Sequence, residues 1–429
     1  MTKQIKLLIL STLLLCLRAS AQNSLGPEQQ FIKRQVDTLT SATFHGRGYV
    51  QDGVSMASKY LQQKFVEYGI KPGVYGSSYT QRYQFPVNTF PGKMQLSING
   101  KYLKPGADYI IDVRSTSFYT QHLPVETIDM AMITDDKKLK KAARSFDAEH
   151  AWLLLNFDSC FKMLHEPGRD FLGSLPKGCY LVPQKAKLTW DVAMDTMDAA
   201  VFYIKEASMP ADPKEATVNM RSKFIPRSWN ENIVGMVPGE VKDSFIVFSA
   251  HYDHLGMMGD SSMFPGGSDN ASGTAMMLYL ASYFVRHPQH YTIVFIAFSG
   301  EEPGLMGSAW FVTHPVIPLN KIKFLTNIDI MGDATDGVTV VNATEFPKQF
   351  QLLKDLNERG KYLPAIVTRG KAANSDHYFF TEAGVPSFFI YSNGGKGFYH
   401  DIFDVGSEVT LNHIDGMAKL MIDFIKELN

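Results

Sequence analysis

The chain has 429 residues, 45% of them hydrophobic, and 42 Lys and Arg stand against 43 Asp and Glu, a formal net charge of −1. That length and apolar content build a sizeable core and exclude a disordered tail or a collagen-like repeat, while the charge balance lacks the basic footprint of a nucleic-acid binder. Three cysteines, Cys16, Cys160 and Cys179, are too few for a disulfide scaffold or a four-cysteine zinc module, so any metal site must draw on His, Asp and Glu.

The first residues read as an address. Lys3 and Lys6 precede an apolar run over 7–17, and Ala19-Ser20-Ala21 is a small-residue cleavage signal, so residues 1–21 are taken as a signal peptide. Its removal takes away Lys3, Lys6 and Arg18, leaving 39 cations against 43 anions, a net −4. No later stretch reaches about 18 uncharged apolar residues, so the expectation is an exported protein, periplasmic or secreted, with no membrane span. A lipid anchor at Cys16 is disfavoured by the bulky Leu15 before it. In an oxidising compartment Cys160 and Cys179 either close a loop worth about 3 kcal/mol or stay as two free thiols.

Residues 53–68 carry Val54, Ala57, Leu61, Phe65 and Tyr68 at helical spacing before Gly69 and Pro72, which predicts an amphipathic helix. Met94, Leu96 and Ile98 alternate with Gln95 and Ser97 ahead of Asn99-Gly100, a strand running into a hairpin turn. From there to about residue 225 the pattern is irregular. Within it, 135–144 reads as a solvated helix and 152–157 as one buried strand, with no catalytic constellation. Residues 96–225 are therefore taken as an inserted accessory domain, between an N-terminal part of the core (22–95) and the main core (226–429).

From Asn232 onward short apolar runs alternate with helical patterns, the signature of an α/β fold whose mostly parallel central sheet has helices on both faces. The strands expected are 245–250, 292–298, 324–330 and 387–391, with helices near 271–286, 307–312, 346–359 and 411–428. Ligands of such open sheets bind beyond the carboxyl ends of the strands. The first strand runs into His251-Tyr252-Asp253-His254, the second into Ser299-Gly300-Glu301-Glu302, and the third ends in Asn327-Ile328-Asp329. Ser268-Asp269-Asn270 precedes a helix, and Phe398-Tyr399-His400-Asp401 adds a late histidine. A lone His or Asp after a strand is usually a cap; five such groups converging on one sheet edge point to a site.

Charge decides what holds them together. Asp269, Glu302 and Asp329 bring three negative charges and an attacking hydroxide a fourth, and without cations these groups repel one another. Two divalent ions neutralise them, with His251 and His400 as neutral imidazoles, and nitrogen with oxygen donors suits zinc better than calcium or magnesium. The chemistry such a pair supports is hydrolysis of an acyl bond.

The motifs His251-Tyr252-Asp253, Ser268-Asp269-Asn270, Gly300-Glu301-Glu302, Asp329 and Tyr399-His400 occur in an order that resembles the M28 family of zinc aminopeptidases. The likeness covers about residue 232 to the C-terminus, with a weaker stretch around His45-Gly46-Arg47-Gly48. It implies two Zn²⁺ per chain, with Asp269 bridging, Glu302 and His400 completing one position, and His251 and Asp329 the other. It also implies Glu301 as general base, Tyr399 as oxyanion donor, and Asp253 orienting His251. His254 is expected to support its turn, and Asp376 and His377 to shape the pocket rather than bind metal. The middle segment matches the family's protease-associated domain poorly. The activity implied is that of an exported zinc exopeptidase, an aminopeptidase acting on peptide substrates. Rival readings are a glutaminyl cyclase-like cyclotransferase, a carboxypeptidase on the same scaffold, and a non-catalytic binding module. The last predicts missing ligands, and none of the five is missing.

Overall fold

A computed structural model of the chain describes residues 25–75, 77–164 and 168–428. The signal peptide expected at 1–21, with Cys16, lies outside the described residues. Among the described residues no helix is long and apolar enough to cross a membrane.

The four expected core strands appear as Val241–His251, Tyr291–Phe298, Ile322–Ile328 and Ser387–Ser392. They run parallel, with Val241–His251 between Tyr291–Phe298 and Ile322–Ile328, and Ser387–Ser392 next to the latter. Antiparallel strands flank this block: Lys223–Val237 on Tyr291–Phe298 and Val338–Val341 on Ser387–Ser392. The strands read as continuous apolar runs because both faces are covered. On one face Pro27–Leu39, Gly53–Tyr68, Gly273–Arg286, Pro347–Gly360 and Ile414–Glu427 share a core with Phe248, Phe295 and Ile390. On the other, Met306–Thr313 and His377–Glu382 contribute Phe311 and Phe380 to a cluster with Val247, Ile296 and Leu325. The third strand stops two residues earlier than expected, because Ile330 takes a left-handed φ of 54°.

The segment expected to be irregular is regular. Residues 94–220 supply an eight-stranded sheet, in which Phe118–Asp129, Ala151–Leu155, Cys179–Gln184 and Ala200–Lys205 run parallel in that order. Its other strands are antiparallel, among them Met94–Ile98 and Lys101–Leu103, joined at Asn99 and Gly100 with φ of 51° and 76°. Seven of the eight strands span only three to six residues. Met94–Ile98, Ala151–Leu155 and the helix Asp136–Ala143 fall where the sequence placed them, whereas the other short strands show no alternation long enough to register as a pattern. One face of this sheet is covered by Phe157–Leu164 and Gly168–Gly173. The other joins Tyr83, Phe90, Trp190, Leu255, Met258 and Phe264 in a common apolar cluster, which seats the second sheet on loops leading out of the core sheet. Cys160 and Cys179 are buried free thiols in separate clusters.

One buried cation ties these loops together. Arg47 has no exposed surface and donates to the carbonyls of Tyr252 (2.9 Å), Leu39 (3.1 Å), Pro265 (2.7 Å), Gly266 (2.8 Å) and Asp269 (3.4 Å). Burial lowers its pKa to about 10 against the opposing charges of Asp269 and Asp404, so it stays a cation at neutral pH. Gly46 before it has φ 64°, and a Cβ there would meet the Phe264 carbonyl at 2.3 Å, so the approach needs glycine. Arg47→Met leaves those buried carbonyls without donors, and the expected cost is about 3 kcal/mol of unfolding free energy in a urea titration. A loss under about 1 kcal/mol would contradict the role.

Candidate metal centre

The carboxyl edge of the parallel strands carries the site. Val241–His251 ends on His251, Tyr291–Phe298 leads through Gly300 (φ 66°) to Glu301 and Glu302, and Ile322–Ile328 leads to Asp329. Asp269 sits just before Gly273–Arg286, and the Asp269–Asn270 peptide is cis. His400, with a left-handed φ of 58°, comes from the loop after Ser387–Ser392.

These side chains meet. Nε2 of His251 lies 3.2 Å from Asp269 Oδ1 and 3.2 Å from Asp329 Oδ1. On the far side of Asp269, Nε2 of His400 lies 3.2 Å from Asp269 Oδ2 and 3.1 Å from Glu302 Oε2. Asp269 therefore presents one oxygen to each histidine. Glu301 joins from the side, its carboxylate within 4.8 Å of the facing atoms of His251 and Asp329. Asp253 lies behind His251: its carbonyl is 3.2 Å and its carboxylate 3.7 Å from Nδ1. That carboxylate also accepts from the Tyr49 hydroxyl (3.1 Å) and the Glu301 N–H (3.3 Å). The Tyr399 ring is stacked on His400, centroids 3.8 Å apart, and is 49% exposed at the mouth.

Three further residues support the site. Asp404 accepts from the backbone N–H groups of Ser268 (2.8 Å) and Asp269 (3.1 Å), fixing the loop that carries Asp269. Ser375 donates to Asp329 Oδ2 at 2.9 Å and accepts from Asn327 at 2.8 Å, so the stretch before His377 holds Asp329. Asp191, from the second sheet's segment, brings an oxygen within 4.8 Å of ligand atoms of Glu302 and His400. Asp404 and Asp191 stand in no local motif, and only the folded chain brings them in; Ser375 opens the stretch Ser375-Asp376-His377 that the sequence reading expected to shape the pocket. His254 does more than support its turn, since its Nδ1 lies 2.5 Å from Glu302 Oε1. Asp376 and His377 are fully buried, and among the described residues neither forms a hydrogen bond or ion pair with the assigned ligands.

The electrostatics are those of a cation site. Burial opposes protonation of His251, yet the charges of Asp329 and Glu301 push its pKa well above the ordinary value. Burial likewise opposes protonation of His400, and Glu302 and Asp269 push it up to about 11. Burial, with the charges of Glu302, Asp329 and Asp376 reinforcing it, raises Glu301. The protein thus collects positive charge here by any means available. His400 Nε2 is buried, at ion-pair distance from two carboxylates, and aligned for a hydrogen bond to neither. A buried nitrogen left in that state, amid oxygen donors, fits a metal-bound imidazole.

Residues 232–425 match the family model described as Peptidase family M28. Over 183 residues the chain is 31% identical to Aminopeptidase YwaD of Bacillus subtilis, covering 41% of this chain and 38% of that protein. Over 228 residues it is 29% identical to a probable leucine aminopeptidase of Trichophyton verrucosum, 48% of this chain and 58% of that protein. The matched region thus spans well under two thirds of these relatives. The fold likeness reaches further: BSAP, a zinc aminopeptidase from B. subtilis, superposes with a TM-score of 0.69 at 19% identity, covering 94% of this chain and 96% of that one. The core sheet and the second sheet together therefore follow a known architecture.

The neighbouring carboxylates raise the proton affinity of His251 and His400, so a cation that binds these imidazoles competes with protons. Zinc binding is therefore expected to release protons and to weaken as pH falls. Calorimetry in buffers of different ionisation enthalpy reads the release; a proton-neutral uptake would contradict the raised proton affinity.

Proposed function

We propose that the chain is an exported, zinc-dependent aminopeptidase that removes N-terminal residues from peptides. The observation that carries this is the meeting of His251, Asp269, Glu302, Asp329 and His400 at the carboxyl edge of the sheet with Glu301 beside them. Asp269 would bridge two Zn²⁺, with His251 and Asp329 completing one position and Glu302 and His400 the other. When bound, such ions polarise the scissile carbonyl and lower the pKa of the attacking water.

The remaining steps fall to the chain's own groups. Glu301 takes the proton from the attacking water and passes it to the leaving amine, a role that its raised proton affinity favours. Tyr399 keeps its phenolic proton, because burial and the charges of Asp269 and Glu302 raise its pKa, and it donates to the developing oxyanion. Asp253 holds the Nδ1 side of His251, which leaves Nε2 to face the centre. A pocket lined by Asp269, Ile330, Asp333, Phe398, Tyr399 and Val409 opens beside the centre and receives the first side chain of the substrate. Export rests on the signal peptide read at 1–21.

Glu301→Gln is expected to lower kcat by roughly 10²–10⁴-fold, the usual worth of a positioned acid–base group, with zinc content unchanged. Near-normal turnover in that variant would refute the assignment of the base. Chelation is expected to abolish hydrolysis of free-amine aminoacyl substrates and added Zn²⁺ to restore it, with N-blocked peptides left intact throughout. Hydrolysis of blocked peptides from their C-termini, cyclisation of N-terminal glutamine in place of hydrolysis, or full activity after verified metal removal would each overturn the reading.

A further inference from the structure

The pocket beside the centre, which the aminopeptidase reading gives to the first side chain of the substrate, has two kinds of wall. Ile330, Phe398 and Val409 make one stretch apolar, while Asp333, Lys396 and Glu408 carry charge beyond the assigned ligands. The other anions lining it are engaged elsewhere: Asp269 with His251 and His400, Asp404 with the N–H groups of Ser268 and Asp269. Lys396 and Glu408 form an ion pair, so an alkylammonium of the chain's own already stands against this wall. Asp333 is held differently. It is 8% exposed, and its donors are all neutral: the Thr335 N–H (2.7 Å) and hydroxyl (2.5 Å) on Oδ1, the Thr410 hydroxyl and the Asn412 amide (3.2 Å) on Oδ2. Among the described residues no Lys, Arg or His forms an ion pair with it. Burial opposes its charge, but those hydrogen bonds outweigh burial and lower its pKa, so it is an anion at neutral pH. A Cβ at Gly394 would stand 2.7 Å from Oδ1, so glycine there leaves the carboxylate uncovered on the side of the loop 394–397.

Such a wall suits one kind of side chain. A buried anion balanced by no cation attracts positive charge strongly, because little water screens it. The apolar stretch beside it suits methylene groups. Lys and Arg side chains combine the two, laying a hydrocarbon stem on apolar surface and ending in a charged head. Four donors already fill the lone-pair sites of Asp333, so its pull is one of charge and does not separate Lys from Arg by hydrogen-bond geometry. We propose that this pocket selects peptides that begin with Lys or Arg, and that Asp333 sets the preference. The inference rests on the aminopeptidase reading and deepens it by naming the substrate class.

The test compares lysyl with norleucyl p-nitroanilide on the full, zinc-loaded chain, because norleucine is lysine without its side-chain ammonium. The ratio of their kcat/KM values, lysyl over norleucyl, is expected to be about tenfold or more in the parent. Asp333→Asn, which keeps the side chain's shape, is expected to lower that ratio at least about fivefold. Lys396→Met removes the competing ammonium and is expected to raise it at least about threefold. Misfolding slows both substrates alike and cannot move the ratio in opposite directions, and should Asp333→Asn not fold, Lys396→Met decides. In the inactive Glu301→Gln background, calorimetry is expected to show lysinamide binding more tightly than norleucinamide, and Asp333→Asn to remove the difference. A parent that prefers norleucine, a ratio that Asp333→Asn leaves unchanged, or a Lys396→Met that lowers it would each overturn the proposal. If the parent cleaves norleucyl p-nitroanilide without favouring the lysyl substrate, the preference alone falls; if it cleaves neither, the aminopeptidase reading falls and takes the preference with it.

Discussion

Repulsion among buried carboxylates is the constraint on which the rest of this structure depends. Asp269, Glu301, Glu302 and Asp329 crowd one sheet edge, and no arrangement of the apolar core beneath them relieves their mutual charge. The surroundings answer in several ways. Two imidazoles face inward with raised proton affinity, a third, His254, sits against Glu302, and Arg47 lies fully buried under the Asp269 loop. His251, His400 and Arg47 place positive charge where the carboxylates need it. The arrangement is strained toward cations in the sense that the protein's own cations serve as stand-ins, which is why the ligand set reads as a metal centre and not as an ordinary polar network.

Placement of the ligands follows from topology. Parallel strands buried on both faces must end together at one edge, so the residues after His251, Phe298 and Ile328 become neighbours without any local contact between them in sequence. Precision comes from a second layer of hydrogen bonds: Asp404 on the Asp269 loop, Ser375 on Asp329, Asp253 on the Glu301 turn and on His251. Each fixes a first contact that would otherwise rotate freely, and such supports decide whether a ligand set is correct to within a fraction of an ångström. Arg47 extends the same logic to the backbone, gathering carbonyls from several separate loops around one guanidinium.

How much of this was legible in the sequence depends on the range over which the signal acts. The core strands were readable because a strand covered on both faces is a continuous apolar run, and the helix Gly53–Tyr68 because its apolar residues repeat at 3.6. His251, Glu301, Glu302 and Asp329 were readable as candidates because each ends or closely follows such a run, whereas Asp269 and His400 stand in loops and were read from their motifs. Of the second sheet only Met94–Ile98 and Ala151–Leu155 were, since strands such as Lys101–Leu103 and Tyr109–Ile111 are too short to show a period. Asp191 and Asp404 were invisible for a different reason. Their meaning lies in contacts with distant parts of the chain, as between Asp404 and the Asp269 N–H 135 positions earlier, and no spacing rule reports such a contact.

Anomalous diffraction at the zinc edge, on crystals grown with Zn²⁺, tests the central claim most directly. The account expects two strong peaks on either side of the Asp269 carboxylate, one against His251 and Asp329 and the other against Glu302 and His400. A site that stays dark, or peaks that avoid these five side chains, would contradict it.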